Sequence, residues 1–273
     1  MKKTILTVSL SVSMLFIGTN TTASAKPHED FSSKVDVGKV DLFVNVQGSE
    51  NRDMHEPAVV FESGYGDDSS NWNGLQAEIS EVTQTLSYDR VGLGQSGNGE
   101  MPKDAEHHAK QLHKAIKKSK IKAPYVIVAH SIGGINARVY AEKFGDELDG
   151  IVFIDSSHES QEELMIEPYL PEEMKEFYYE QFTAEGDYET VMNSFQQALD
   201  SRESDPLRTI PITVLSATEH GLGNEAEQVW AMLQQDIASL SDHNTHITVE
   251  GAGHYIHLDQ PKLVIDEIVK MID

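Results

Sequence analysis

A serine at 131, a histidine at 254 and carboxylates at 155 and 219 are the residues best suited to do chemistry together. A serine hydroxyl becomes a nucleophile when a base takes its proton, and imidazole does this near neutral pH. A carboxylate then sets the imidazole tautomer and steadies the imidazolium. Ser131 sits in Ala129-His130-Ser131-Ile132-Gly133, a G-x-S-x-G pattern with Ala at its first small position. His254 sits in GAGHYIHLDQP between Gly251, Gly253 and the next helix. Asp155 closes the apolar run GIVFID, and Glu219 follows ITVLSA. The spacing favours Asp155 as the orienting acid, because a carboxylate at the end of a buried strand needs a partner. Glu219 stays open as the alternative. A developing oxyanion needs two N–H donors. The residue after the nucleophile, Ile132, offers one, and Tyr65 in SGYG offers the other.

The elements that must position these groups are legible around them. Tyr125 to Ala129 is a continuous β-branched run, the mark of a strand buried on both faces. From Ile135 to Phe144 the apolar residues recur at helical spacing. Ser131 therefore falls on a sharp strand-to-helix turn. Further strands are expected at 39–50, 57–63, 83–89, 150–155, 212–217 and 246–251, with helices at 104–118, 225–240 and 261–271. Alternating β and α with buried strands predicts an α/β fold, a mostly parallel sheet with helices on both faces. Residues 156–210 break the alternation. They are acidic and partly helical, with Leu164, Met165, Tyr169, Leu170, Met174, Phe177 and Tyr178 forming apolar faces, and they read as a helical cap over a pocket.

Composition narrows the setting. Of 273 residues, 39% are hydrophobic and none is cysteine, so neither disulfides nor a lipidated cysteine are available. Lys2 and Lys3, the apolar stretch from Ile5 to Gly18 and Ala23-Ser24-Ala25 read as a secretory leader cleaved after Ala25. The expected organisation is a leader at 1–25 and one domain at 26–273, in a secreted protein without a stable membrane anchor. The net charge is −24, and loss of the leader leaves 19 basic against 45 acidic residues, a net −26. Such a surface repels nucleic acid and anionic membranes. GLGQSG at 92–97 matches a dinucleotide-binding glycine pattern, but NGEMP follows it instead of a helix, which argues against that use. Asp89 and Arg90 read as a structural ion pair. His107, His108 and His113 read as a solvated helix face and not as metal ligands.

Taken together, VVFESGYGDDSSNW, YDRVGLGQSG, AHSIGG, IVFIDSSH and GAGHYIHLDQP resemble, in order and spacing, the segments of the α/β-hydrolase superfamily, serine esterases and lipases among them. The likeness covers nearly all of the chain after the leader. Two departures stand out: Ala129 replaces the first Gly of the serine motif, and Ser63 replaces the His of the common His-Gly oxyanion loop. The resemblance implies hydrolysis of a small carboxylic ester or related acyl compound through a Ser131-His254-Asp155 triad, with no cofactor and no metal. Lactone, amide or aminopeptidase-type substrates stay open, as does a ligand-binding role with an idle triad.

Overall fold

The apolar run ahead of Ser131 is strand β5 (Tyr125–His130), buried at every position. In the computed structural model, which describes residues 29–53, 55–99 and 103–273, it lies inside an eight-stranded sheet. The expected leader lies outside the described residues. The other strands are β1 (Phe31–Asp36), β2 (Asp41–Gln47), β3 (Ala58–Glu62), β4 (Thr85–Tyr88), β6 (Leu148–Ile154), β7 (Ile212–Ala217) and β8 (Asn244–Val249). Their spatial order is β1-β2-β4-β3-β5-β6-β7-β8. The β1–β2 and β2–β4 pairs are antiparallel and the rest are parallel.

The period of two along β5 divides the core. Tyr125, Ile127 and Ala129 join one apolar cluster, and Val126 and Val128 join the other. The first face is covered by α2 (Ala105–Lys118), α3 (Gly133–Phe144), α6 (Tyr188–Ser201) and α7 (Asn224–Ala238). The second is covered by α1 (Asn73–Ser80) and α9 (Pro261–Ile272). Between β6 and β7 the chain makes a π-helical turn (Glu162–Ile166), α4 (Glu167–Tyr169), α5 (Glu172–Glu180) and α6. A short α8 (Ile256–Asp259) precedes α9. Among the described residues no helix is long and apolar enough to cross a membrane.

This topology fixes where a ligand belongs. Strand β3 pairs with both β4 and β5. The chain leaves β3 toward α1 on one face and leaves β5 toward α3 on the other. The carboxyl ends of β3 and β5 therefore flank a crevice at the switch point of the sheet. The loop at Tyr65 and the turn at Ser131 are the two sides of that crevice.

Candidate active site

Ser131 is held in the left-handed region at φ 54°. For a residue with a Cβ this costs about 1–2 kcal/mol, and surrounding structure must sustain it. The Ser131 N–H bonds the Ile154 carbonyl at 3.2 Å, and its carbonyl accepts from the N–H of Gly134 at 2.9 Å and of Ser157 at 3.0 Å. The turn is packed so closely that a Cβ on Gly133 would lie 2.6 Å from the Glu62 carbonyl oxygen and 2.8 Å from that of Ser63. Glycine is required there by space. At 129, where the pattern departs, the alanine fits as a fully buried strand residue paired with Glu62 and Phe153.

Asp155 leaves β6 in a second left-handed conformation, at φ 43°, and is fully buried. Its Oδ2 accepts from His254 Nδ1 at 2.6 Å and from His220 Nε2 at 2.7 Å. Its Oδ1 accepts from the Ala217 N–H at 2.9 Å and from Trp230 Nε1 at 2.8 Å. Burial alone would push this carboxyl up. Hydrogen bonds from the two imidazoles, and their charge, outweigh burial and hold it well below the usual carboxylate range. Glu219 is exposed on the cavity rim, and its backbone N–H bonds the Ala252 carbonyl. Asp155, and not Glu219, is the carboxylate that contacts His254. The His254 Nε2 and the Ser131 hydroxyl have no hydrogen-bond partner among the described residues, and both residues line one cavity.

The loop after β3 brings Tyr65 to the same cavity. The N–H groups of Tyr65 and Ile132 have no acceptor among the described residues, and both residues line the cavity beside Ser131. Gly64 is needed because a Cβ there would lie 2.8 Å from His130 Nδ1 and 2.9 Å from Asp67 Oδ2. Arg90 orients the loop from below. It donates to the carbonyls of Ser63 at 2.7 Å and Gly64 at 2.5 Å. It also pairs with Glu62 at 2.9 Å and Glu185 at 2.5 Å, all of them buried. Glu185 in turn accepts the Gly66 N–H at 2.8 Å, which ties the segment between α5 and α6 to the loop after β3. The expected Asp89–Arg90 pair does not form. Asp89 accepts backbone N–H groups of Ser69 and Gln95 instead, because the turn after β4 folds back over its carboxylate.

The cavity has a volume of about 340 Å³. Met165 and Ile166 from the π-helical turn, Leu170 just after α4, Phe182, and Val191 and Phe195 from α6 form its apolar wall. Trp230 and Leu222 close the side next to His220. The apolar faces expected in this segment divide. Met165, Leu170 and Tyr178 line the cavity, whereas Leu164, Tyr169, Met174 and Phe177 point outward, Phe177 being 74% exposed. The helical periodicity was real, but it could not say which face turned inward.

The other histidines separate by burial. His108 is not part of a solvated face: it is buried 3.8 Å from Glu185, with its proton affinity lowered to about 4 chiefly by burial. His257 is buried and stacked on Trp72 at 4.6 Å. An imidazole that the sequence did not mark is His220, next to Glu219 in the loop after β7. Ligand atoms of Asp155, His220 and His254 lie within 4.8 Å of one another, a spacing a metal ion would accept. The Asp155 oxygens, however, are taken up by N–H groups of His254, His220, Ala217 and Trp230, and both nitrogens of His220 face carboxylates. The arrangement is a hydrogen-bonded chain and not an open chelate.

Comparison with known proteins agrees with this architecture. The model of the alpha/beta hydrolase fold family matches residues 57–189, from β3 through Ser131 and Asp155 into α6. The uncharacterized protein YqjL of Bacillus subtilis is 32% identical over 206 residues, 76% of this chain and 79% of its own. An AB hydrolase superfamily protein of Gibberella zeae is 22% identical over 85% of this chain and 91% of its own. Among solved structures, a thermophilic esterase from Thermogutta terrifontis superposes with a TM-score of 0.64 at 17% identity, covering 89% of this chain and 100% of that one. Est816, described as an N-acyl homoserine lactone degrading enzyme, gives 0.66 at 14% identity over 87% and 99%. The sheet order, the turn at Ser131 and these matches lead to one statement: the chain belongs to the alpha/beta hydrolase fold family.

Proposed function

We propose that this protein is a secreted serine hydrolase that cleaves small, neutral carboxylic esters through an acyl-enzyme. Ser131 attacks the carbonyl carbon as His254 Nε2 takes the hydroxyl proton. Asp155 holds the His254 Nδ1–H and offsets the imidazolium. The Tyr65 and Ile132 N–H groups receive the oxyanion. His254 returns its proton to the departing alcohol, and water, deprotonated by the same imidazole, releases the acid. The observation that carries this reading is the 2.6 Å contact between His254 Nδ1 and a buried Asp155 beside the cavity that Ser131 lines.

The apolar wall formed by the residues between β6 and β7 suits a short or medium acyl chain, and supports reading 156–210 as a cap that sets substrate size. The net charge of −24 disfavours anionic substrates. Export rests on the expected leader at 1–25. The test is covalent labelling by a fluorophosphonate, together with turnover of 4-nitrophenyl esters from acetate to decanoate. Labelling and turnover that both vanish in Ser131→Ala support the assignment. Turnover that survives in that variant refutes it.

A further inference from the structure

A triad acid needs one imidazole, and Asp155 holds two. His220 Nε2 donates to the same oxygen, Oδ2, as His254 Nδ1, at 2.7 Å against 2.6 Å. The other ring nitrogen of His220, Nδ1, lies 2.7 Å from Glu227 Oε2 on α7. Glu227 is anchored in turn, since its Oε1 accepts the backbone N–H of His220 at 2.9 Å and of Leu222 at 3.3 Å. A ring whose two nitrogens both face carboxylates must donate from both, and so carries two protons. His220 is therefore an imidazolium with no free N–H, its side chain 8% exposed. Burial works against that charge, but Asp155 and Glu227 outweigh it and raise the group to about 9.

We infer that His220, clamped by Glu227, is a positioning residue that holds Asp155 in place and extends the working range of the His254–Asp155 pair to lower pH. The inference rests on the proposed triad. A lone Asp155 would favour a proton on His254 without opposition. A fixed cation on the same carboxylate oxygen opposes that proton by charge repulsion. His220 itself neither gives nor takes a proton during turnover, because both of its protons are held. The other titratable groups near His254 do not supply the cation. His130, 4.6 Å away between ring centres, and His257 are kept neutral, mainly by burial. Tyr255 is an uncharged phenol, and Asp67 and Glu219 are acidic. On α7, Trp230 contributes only its indole N–H.

The ring centres of His220 and His254 lie 6.2 Å apart. At an effective dielectric of about 20, a unit charge at that distance moves a titration by about two pH units. His254 is 35% exposed, so solvent reduces the expected effect to about one unit. The experiment compares His220→Gln and Glu227→Gln with the unaltered full-length protein. It measures kcat/KM against pH with 4-nitrophenyl butyrate, and follows the histidine Cε1 protons by NMR over the same range. The acid limb of the rate profile and the His254 titration should both move up by about one pH unit in His220→Gln. Glu227→Gln should move them in the same direction by less. A fall in kcat with both midpoints unmoved would reduce His220 to packing and overturn the inference. An unaltered protein that hydrolyses no ester, yet shows the NMR shift on substitution, would sink the hydrolase reading while leaving the coupling in place.

Discussion

Replacing Asp155 by asparagine tests the proposed site most sharply, because the four donors around this side chain dictate how the amide must sit. The Ala217 N–H and Trp230 Nε1 cannot become acceptors, so the amide oxygen has to remain at the Oδ1 position. The NH2 group then occupies the Oδ2 position and faces His254 Nδ1 and His220 Nε2. Both imidazoles must present a lone pair there. His254 is thereby forced to carry its proton on Nε2, toward Ser131, and cannot accept the serine proton. A wrong tautomer in an otherwise intact triad lowers kcat by about ten-thousandfold, which is about 5.5 kcal/mol of transition-state stabilisation. KM for the same ester should change little, since Asp155 is fully buried and does not line the cavity. Initial rates with 4-nitrophenyl butyrate, backed by circular dichroism to show a folded chain, measure the loss. Glu219→Gln serves as the control and should retain most of its activity. If Asp155→Asn kept kcat within tenfold, or Glu219→Gln suffered the larger loss, the assignment of the acid would fall.

Ser131→Gly should abolish turnover yet raise the urea midpoint, because glycine relieves the left-handed strain at φ 54°, worth about 1 kcal/mol; an unchanged or lower midpoint would show that the turn is not strained. Arg90→Met leaves Glu62 and Glu185 buried beside each other without their cation, and should cost about 3–5 kcal/mol in chemical unfolding. Val191→Phe, which fills part of the cavity wall, should depress kcat/KM for octanoate far more than for acetate esters, while Phe177→Ala on the outer surface leaves the chain-length profile as it was. His220 has a folded-state proton affinity raised from an ordinary 6.5 to about 9. Its contribution to stability is therefore complete below pH 6.5 and lost as pH rises through 9. Urea midpoints at pH 6.5 and 9.5 should differ in the unaltered protein and converge in His220→Gln.

The interior strands were readable because burial on both faces leaves an uninterrupted apolar run: β7 matches the expected 212–217, and β5 extends one residue beyond its apolar core. Strand β1 was missed because it is an edge strand, largely exposed and paired only with β2. In its sequence, FSSKVD, only Phe31 and Val35 turn toward the core, too few to mark a strand. Helix α1 escaped for a related reason. NGLQAEIS is short and half polar, and Gln76 is buried there because it bonds Asn45 and Thr85 across the sheet.

The same division holds at the site. The Asp155–His254 contact and the cavity that Ser131 and His254 both line bring together residues that the sequence offered as candidates. Each follows a strand of the parallel sheet, with apolar runs in β5 and β6 but a largely polar sequence in β8, and the carboxyl ends of parallel strands share one rim. Side chains at that rim are brought near one another by backbone periodicity, without help from any particular contact. What periodicity cannot supply is the identity of partners across long separations. His220 reaches Asp155 from 65 residues away, and Arg90 bridges Glu62 and Glu185, the latter 95 residues on. A histidine beside a glutamate in a short loop, or an arginine next to an aspartate, looks in sequence like a local pair. Tertiary folding alone decided otherwise, because a buried charge is held by whichever opposite charge the packing brings within hydrogen-bond reach, and that geometry leaves no periodic trace along the chain.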